Sequence, residues 1–254
     1  MAGIRMRRRA LRPLWRIDEF ADYHGLLYAE GLLRYAELAK AQAGDLGSVL
    51  AIGACFREVE ALCPLPFSRI VLSGVAEPDA CVQRAQEHDP RVRYELADVE
   101  ALPWPAQHFD LVLCKESLHH TARPVQGLYQ MLRVCRRAVL LIEPWDCALV
   151  RGLERLGLTT RFERAQALNV GGRDNHVFRW SRRGLESLLA SLYLESGWQA
   201  DVTVGWMSGR AQLRRPRALR RLASLAGWTA ARLPGAAGNL ASMLIVPGSD
   251  RPAE

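Results

Sequence analysis

The sequence predicts a doubly wound α/β domain built on a largely parallel sheet. Three observations carry that prediction. Val49-Leu-Ala-Ile52 is a short apolar run that meets Gly53 and gives way to a helical pattern. That order of strand, glycine turn and helix opens the ligand crevice of such domains. Further short apolar runs alternate downstream with amphipathic stretches, the rhythm of strands joined by crossover helices. One of them, Phe109-Asp-Leu-Val-Leu-Cys114, is almost wholly apolar, as a strand covered on both faces must be.

The elements follow in order. From about Asp18 to Ala43 an apolar face (Leu26, Leu32, Tyr35, Ala36) opposes a charged one, so a helix is expected to cover the domain ahead of its first strand. Strand one is Val49–Ile52, and a helix through Glu58–Leu62 is cut short by Pro64 and Pro66. Arg69–Val75 reads as strand two, and Pro78 stands at a plausible first helical position for a helix reaching about His88. Arg91–Leu96 is strand three and Phe109–Cys114 strand four. A helix over Val125–Arg137 leads into strand five, Ala138–Ile142, which closes at Glu143-Pro144. Asp146–Asn175 reads as an arginine-rich, partly helical insertion. Ser181 reads as the N-cap of a helix to about Ser196. Ala200–Trp206 and Asn239–Val246 complete the strands, with a basic helical stretch, Arg210–Leu233, between them. This divides the chain into a segment 1–47, arginine-rich and then helical, and a domain 48–254 that carries the insertion at 146–175 and the basic helix at 210–233.

Composition narrows the class. A chain of 254 residues has room for one sizeable domain with additions, and its 49% apolar and 24% charged shares are those of a globular protein. No apolar run approaches the roughly 20 residues that cross a bilayer. Met1–Arg16 is arginine-rich without an apolar signal core, so a cytoplasmic protein is expected. The six cysteines are scattered, with no Cys-x-x-Cys pair, which predicts reduced thiols and no metal site. The net charge of +7 comes almost entirely from arginine, since Lys40 and Lys115 are the only lysines. It is densest at Arg5–Arg16 and Arg210–Arg221, with no aromatic platform or nucleic-acid motif, so a solvated surface is preferred to a nucleic-acid site. Peripheral contact of the basic helix with an anionic membrane remains a secondary expectation, and a homo-oligomer is left open.

Four segments carry a resemblance. They are Leu96-Ala-Asp-Val-Glu-Ala-Leu-Pro-Trp-Pro105, Phe109-Asp-Leu-Val-Leu113, Leu118-His-His120 and Leu132-Arg-Val134. Together they resemble the class I S-adenosylmethionine-dependent methyltransferases, in the small-molecule group related to ubiquinone and menaquinone biosynthesis, over residues 48–145. The resemblance implies a Rossmann-like, seven-stranded, mostly parallel sheet with an antiparallel last strand. It implies S-adenosylmethionine as cofactor and methyl transfer to an oxygen or nitrogen of a small acceptor: a secondary metabolite, a sugar or a lipid-linked intermediate.

The residue roles carry over by position. Asp98 would accept from the adenine amino group, with the Val99 backbone beside it. Gly53 and Ala54 would admit the methionine end of the cofactor, Glu77 would face the ribose, and Lys115 and Glu116 would line the floor between cofactor and acceptor. His119 or His120 would serve as general base. His176 and Trp180 would line the acceptor side. Arg151, Arg155, Arg161, Arg164 and Arg173 in the insertion suggest an acceptor with negative charge.

The first loop departs from the family pattern of an acidic residue followed by three alternating glycines. Here Ala51 replaces the acid, only Gly53 remains, and Cys55 and Arg57 stand where glycines would. Ala76 occupies the ribose-acid position, with Glu77 one residue late. These changes motivate an alternative from another class, a catalytically inert methyltransferase-like scaffold or partner protein.

Overall fold

The structure is a computed structural model, and it describes residues 3–7, 20–42, 45–156, 162–163, 175–191, 197–205 and 238–248. In chain order these form β1 (Gly3–Arg7), α1 (Phe20–Gln42), β2 (Ser48–Ile52), α2 (Phe56–Leu62), β3 (Arg69–Gly74), α3 (Ala80–His88), β4 (Val92–Leu96), β5 (Phe109–Lys115), α4 (Pro124–Val134), β6 (Cys135–Pro144), α5 (Ala148–Arg155), β7 (Phe162–Glu163), β8 (Asn175–His176), α6 (Arg182–Ser191), β9 (Trp198–Gly205) and β10 (Leu240–Pro247). Strands order themselves β1-β9-β10-β6-β5-β2-β3-β4, and β7 and β8 pair separately. Every pairing in the large sheet is parallel except those of β10, which runs antiparallel to both β6 and β9. The expected Rossmann-like sheet is therefore present.

Period-two side-chain alternation sorts the apolar runs onto two faces. Leu50, Ile52, Val112, Leu141, Val202 and Met243 join α4, α5 and α6 on one side through Leu128, Val150 and Leu185. Val49, Ala51, Leu111, Leu113, Leu140 and Ile142 join α1, α2 and α3 on the other through Tyr35, Leu62 and Val82. Continuous apolar strands were thus required, because both faces of the sheet are covered.

The seven expected strands are β2, β3, β4, β5, β6, β9 and β10, and β1 is an eighth. It pairs parallel to β9, from Gly3 opposite Gln199 to Arg7 opposite Thr203. Its signal was an alternation, Ile4 and Met6 against Arg5 and Arg7, hidden inside an arginine-rich segment. Ile4 packs on the core. Helix α1 lies on the sheet over β6 and β10, so close at Gly31 that a Cβ there would sit 2.7 Å from Leu140. Its Arg34 reaches into the sheet, donating to the Asp201 carbonyl at 3.1 Å and to Ser242 Oγ at 2.8 Å.

Boundaries moved where side chains compete for the backbone. Helix α3 starts after Asp79, not at Pro78, because Asp79 Oδ1 caps it by accepting from the amides of Cys81 and Val82. Helix α4 stops at Val134, earlier than expected, since Cys135 already pairs with Phe109 in the sheet. Ser181 caps α6, as expected, its Oγ accepting from Gly184 N–H at 3.1 Å. The basic stretch 210–233 and most of 146–175 beyond α5 lie outside the described residues.

Candidate active site

Parallel strands bring their carboxyl ends to one edge, where ligands of such sheets bind. Ile52 lies beside Ser73 and Cys114, Gly74 beside Leu96, and Lys115 beside Ile142. Gly53, Val75, Ala97 and Glu116 therefore leave the sheet side by side. Of the sequence-nominated residues, Gly53, Ala54, Glu77, Asp98, Lys115 and Glu116 lie at or just beyond these strand ends, whereas Trp180 is in the core.

Gly53 has φ +64°, the left-handed region, and a Cβ on it would fall 2.2 Å from Ser117 Oγ. Only glycine lets the β2 turn approach the β5 turn this closely. Ala54 N–H donates to the Ser73 carbonyl at 2.9 Å. The altered positions that follow are all committed to local contacts. Cys55 N–H donates to Glu58 Oε2 at 2.7 Å, and Phe56 N–H donates to Asp79 Oδ2 at 3.0 Å. Two carboxylates thus close the start of α2. Burial, then the charge of Glu58, pushes the Cys55 thiol up to about 12. The Arg57 guanidinium lies over the Phe56 ring, 4.9 Å from its centre, and Phe56 itself is 41% exposed.

Across the next two strands stand carboxylates among uncovered apolar side chains. Glu77 and Asp98 are exposed, and Val75 and Leu96 are 74% and 59% exposed. Asp98 Oδ1 accepts from Glu100 N–H at 2.9 Å and so caps the short 3-10 turn Val99–Ala101, while Val99 is buried beneath it. Tyr94 donates to the Ala76 carbonyl at 2.5 Å, and its hydroxyl is pushed up by burial and then by Glu77 and Asp79. Arg133 fixes the loop after Asp98 by donating to the carbonyls of Leu102 and Trp104, both at 2.8 Å. These carboxylate acceptors can take hydrogen bonds from hydroxyls and amino groups beside an apolar planar group. A pyrophosphate needs free amides at a helix start, and here the Cys55 and Phe56 amides already donate to carboxylates.

The third part is the turn after β5. Lys115 Nζ pairs with Glu116 Oε2, and Glu116 holds φ +46°, unusual for a residue with a side chain. A 3-10 turn, Leu118–His120, follows. His119 is buried and its Nδ1 lies 2.6 Å from Glu143 Oε2, whereas His120 is exposed with its ring 4.2 Å from that of His119. His176 is exposed on β8, which packs against this turn. Trp180 is buried in the core, pairs with Trp145 through a short parallel bridge, and stacks edge-on against Phe178 at 5.0 Å. Of the insertion arginines, Arg151 donates to Asp146 at 2.5 Å and Arg155 is exposed; Arg161, Arg164 and Arg173 lie outside the described residues.

Glu143 was not among the nominated residues. Its signal was a carboxylate directly ending an apolar strand at the ligand edge, Ala138-Val-Leu-Leu-Ile-Glu143. Among the described residues no group of three or more metal-binding side chains occurs.

Residues 57–142 match the methyltransferase-domain family. The curated 27-O-demethylrifamycin SV methyltransferase of Amycolatopsis mediterranei (strain S699) is 32% identical over 109 residues, 41% of this chain and 39% of that protein. The match therefore spans well under half of that relative's length. The YcgJ protein of Bacillus subtilis superposes with a TM-score of 0.54 at 17% identity, covering 88% of this chain and 100% of that one. Burkholderia thailandensis 1,6-didemethyltoxoflavin-N1-methyltransferase, solved with 1,6-didemethyltoxoflavin and S-adenosylhomocysteine, superposes at TM-score 0.50 and 16% identity, covering 90% of each chain. At such identities the structural likenesses establish the fold. With the family match over its central strands, residues 57–142 carry a methyltransferase-domain pattern on a Rossmann-like sheet.

Proposed function

We propose that this protein transfers a methyl group from S-adenosylmethionine to an oxygen or nitrogen of a small-molecule acceptor. The observation that carries the reading is the ligand edge itself. Exposed Glu77 and Asp98 stand with uncovered Val75 and Leu96 on one side of Gly53, and the His119–His120 turn stands on the other. The carboxylates and apolar side chains suit the nucleoside, Asp98 toward the adenine amino group and Glu77 toward the ribose. Gly53, Ala54 and Lys115 suit the methionine end. When bound, the cofactor supplies a methyl group already activated by its sulfonium, so the protein has only to align the acceptor and, for a hydroxyl, remove one proton.

We assign that proton to His120, which is exposed where His119 is buried. Glu116 and His176 border the acceptor side. Trp180, buried, backs it from the core side. The acceptor class we favour is a secondary metabolite, sugar or lipid-linked intermediate. Negative charge on it is supported only by the arginine content of the 146–175 segment, less Arg151, which is engaged with Asp146.

A second reading, an inert methyltransferase-like scaffold, is favoured by the loop after Gly53, where Cys55 and Phe56 are held by Glu58 and Asp79. Calorimetry separates the two. The enzyme takes up S-adenosylmethionine and S-adenosylhomocysteine, and Asp98→Ala weakens both. Absence of heat from either compound would leave the scaffold. A screen of acceptors with labelled S-adenosylmethionine then identifies the substrate.

A further inference from the structure

We infer that Glu143 is a positioning residue that fixes the tautomer of His119 and, through the adjoining, tilted rings, the setting of His120. The inference deepens the reading above, because it rests on His120 serving the acceptor. Glu143 ends β6 fully buried, and both oxygens are engaged. Oε1 accepts from the amides of Ser117 at 2.8 Å and Leu118 at 2.9 Å, and Oε2 lies 2.6 Å from His119 Nδ1. Oε1 spends both lone pairs on the two backbone N–H groups, and we read Oε2 as the acceptor facing the imidazole. On that reading Nδ1 of His119 donates. This places the second nitrogen of His119, Nε2, as the variable site of the ring.

A buried carboxylate without such partners would be costly, and the two amides alone, both on Oε1, would leave Oε2 unsatisfied. The third contact goes to a histidine whose ring lies 4.2 Å from the exposed His120, inclined by 39°. One carboxylate thus controls both the backbone that presents His120 and the charge behind it. Among the described residues, other ionisable groups lie close to the turn on β5 and β8. From β5 come Cys114, whose Sγ is 4.0 Å from Glu143 Oε1, and the Lys115–Glu116 pair. Burial, then Glu143, pushes the Cys114 thiol well up, so it stays neutral; Glu58 adds to this from α2. From β8 comes His176.

The test is imidazole nitrogen NMR on the whole protein and on Glu143→Gln. The glutamine oxygen can still accept from Ser117 and Leu118, which turns its amide NH2 toward His119 Nδ1 and demands a lone pair there. Wild-type His119 is expected in the Nδ1–H form and the variant in the Nε2–H form. The titration midpoint of His120 should fall by about half a pH unit on loss of the nearby negative charge. A variant that lowers the unfolding temperature yet leaves the His119 tautomer and His120 midpoint unchanged would mean a merely structural glutamate, and the inference falls. Should the variant not fold, the wild-type spectrum decides alone, since an Nε2–H His119 overturns the assignment. S-adenosylhomocysteine calorimetry on the wild type is read separately: its failure removes the methyl-transfer reading without touching the tautomer.

Discussion

Replacing Gly53 by alanine tests the closest approach in the site. Two costs can be worked out. A residue with a Cβ at φ +64° costs about 1–2 kcal/mol relative to glycine. The new Cβ would stand 2.2 Å from Ser117 Oγ and 2.6 Å from Ser117 Cβ, so Ser117 must move. Its hydroxyl donates to the Lys115 carbonyl at 3.0 Å, and losing that bond costs about 1 kcal/mol. Together Gly53→Ala should destabilise the protein by about 2–3 kcal/mol. The assay is urea unfolding of Gly53→Ala, Ser117→Gly and the double variant. Ser117→Gly removes the obstructing atoms, so the double variant should recover about 1 kcal/mol relative to the sum of the single changes. A Gly53→Ala change below about 0.5 kcal/mol, or strict additivity in the cycle, would refute the packing argument.

Three further outcomes are expected. Asp98→Ala should weaken S-adenosylhomocysteine binding about tenfold or more, while Asp98→Asn keeps the Glu100 cap and isolates the lost charge; equal affinity for all three proteins in calorimetry would remove Asp98 from the cofactor site. Asp110 is held below the usual carboxylate range, since hydrogen bonds from Ser48 and the charges of Arg137 and Arg136 outweigh the opposing effect of burial. A depressed folded value gives stability that is present above about pH 4 and lost as pH falls through it, so Asp110→Asn should destabilise most at neutral pH and least in acid; a pH-independent difference in urea midpoints would contradict this. Cys55, pushed up to about 12, should resist alkylation at pH 7.5 in the folded protein, and rapid labelling seen by mass spectrometry would show that Glu58 and burial do not govern it.

The parallel sheet was legible because covering both faces leaves no alternative to apolar runs, as in Phe109–Cys114 and Ala138–Ile142. The carboxyl-edge turns were legible for the same reason, since strand ends are where the apolar pattern breaks. What the sequence concealed are effects of partners far away along the chain. Ile4 and Met6 alternate as any short peptide can, and only β9 makes them a strand. Pro78 is a sound helix start until Asp79, one residue on, takes the amides of Cys81 and Val82. Glu143 looked like the end of a strand, and its meaning lay in three donors from the turn after β5. Trp180 and His176 sit four residues apart, yet one is core and the other surface, because Trp180 is drawn in beside Trp145.

The contacts of β1 and α1 also set a clock for folding. Gly3 waits for Gln199, and Arg34 for carbonyls 167 and 208 residues further on. At a synthesis rate of about 5–20 residues per second, the interval is roughly 10–40 s. During it, the first strand and the buried arginine are in being while the strands that receive them are not. The parallel pairings among β2–β6 need only residues 48–144, which are all synthesised within that time, whereas the other neighbour of β6, β10, is not. The edge formed by β9 and β10 must then be assembled around an arginine that has been held in water, with its long-range partners brought together last.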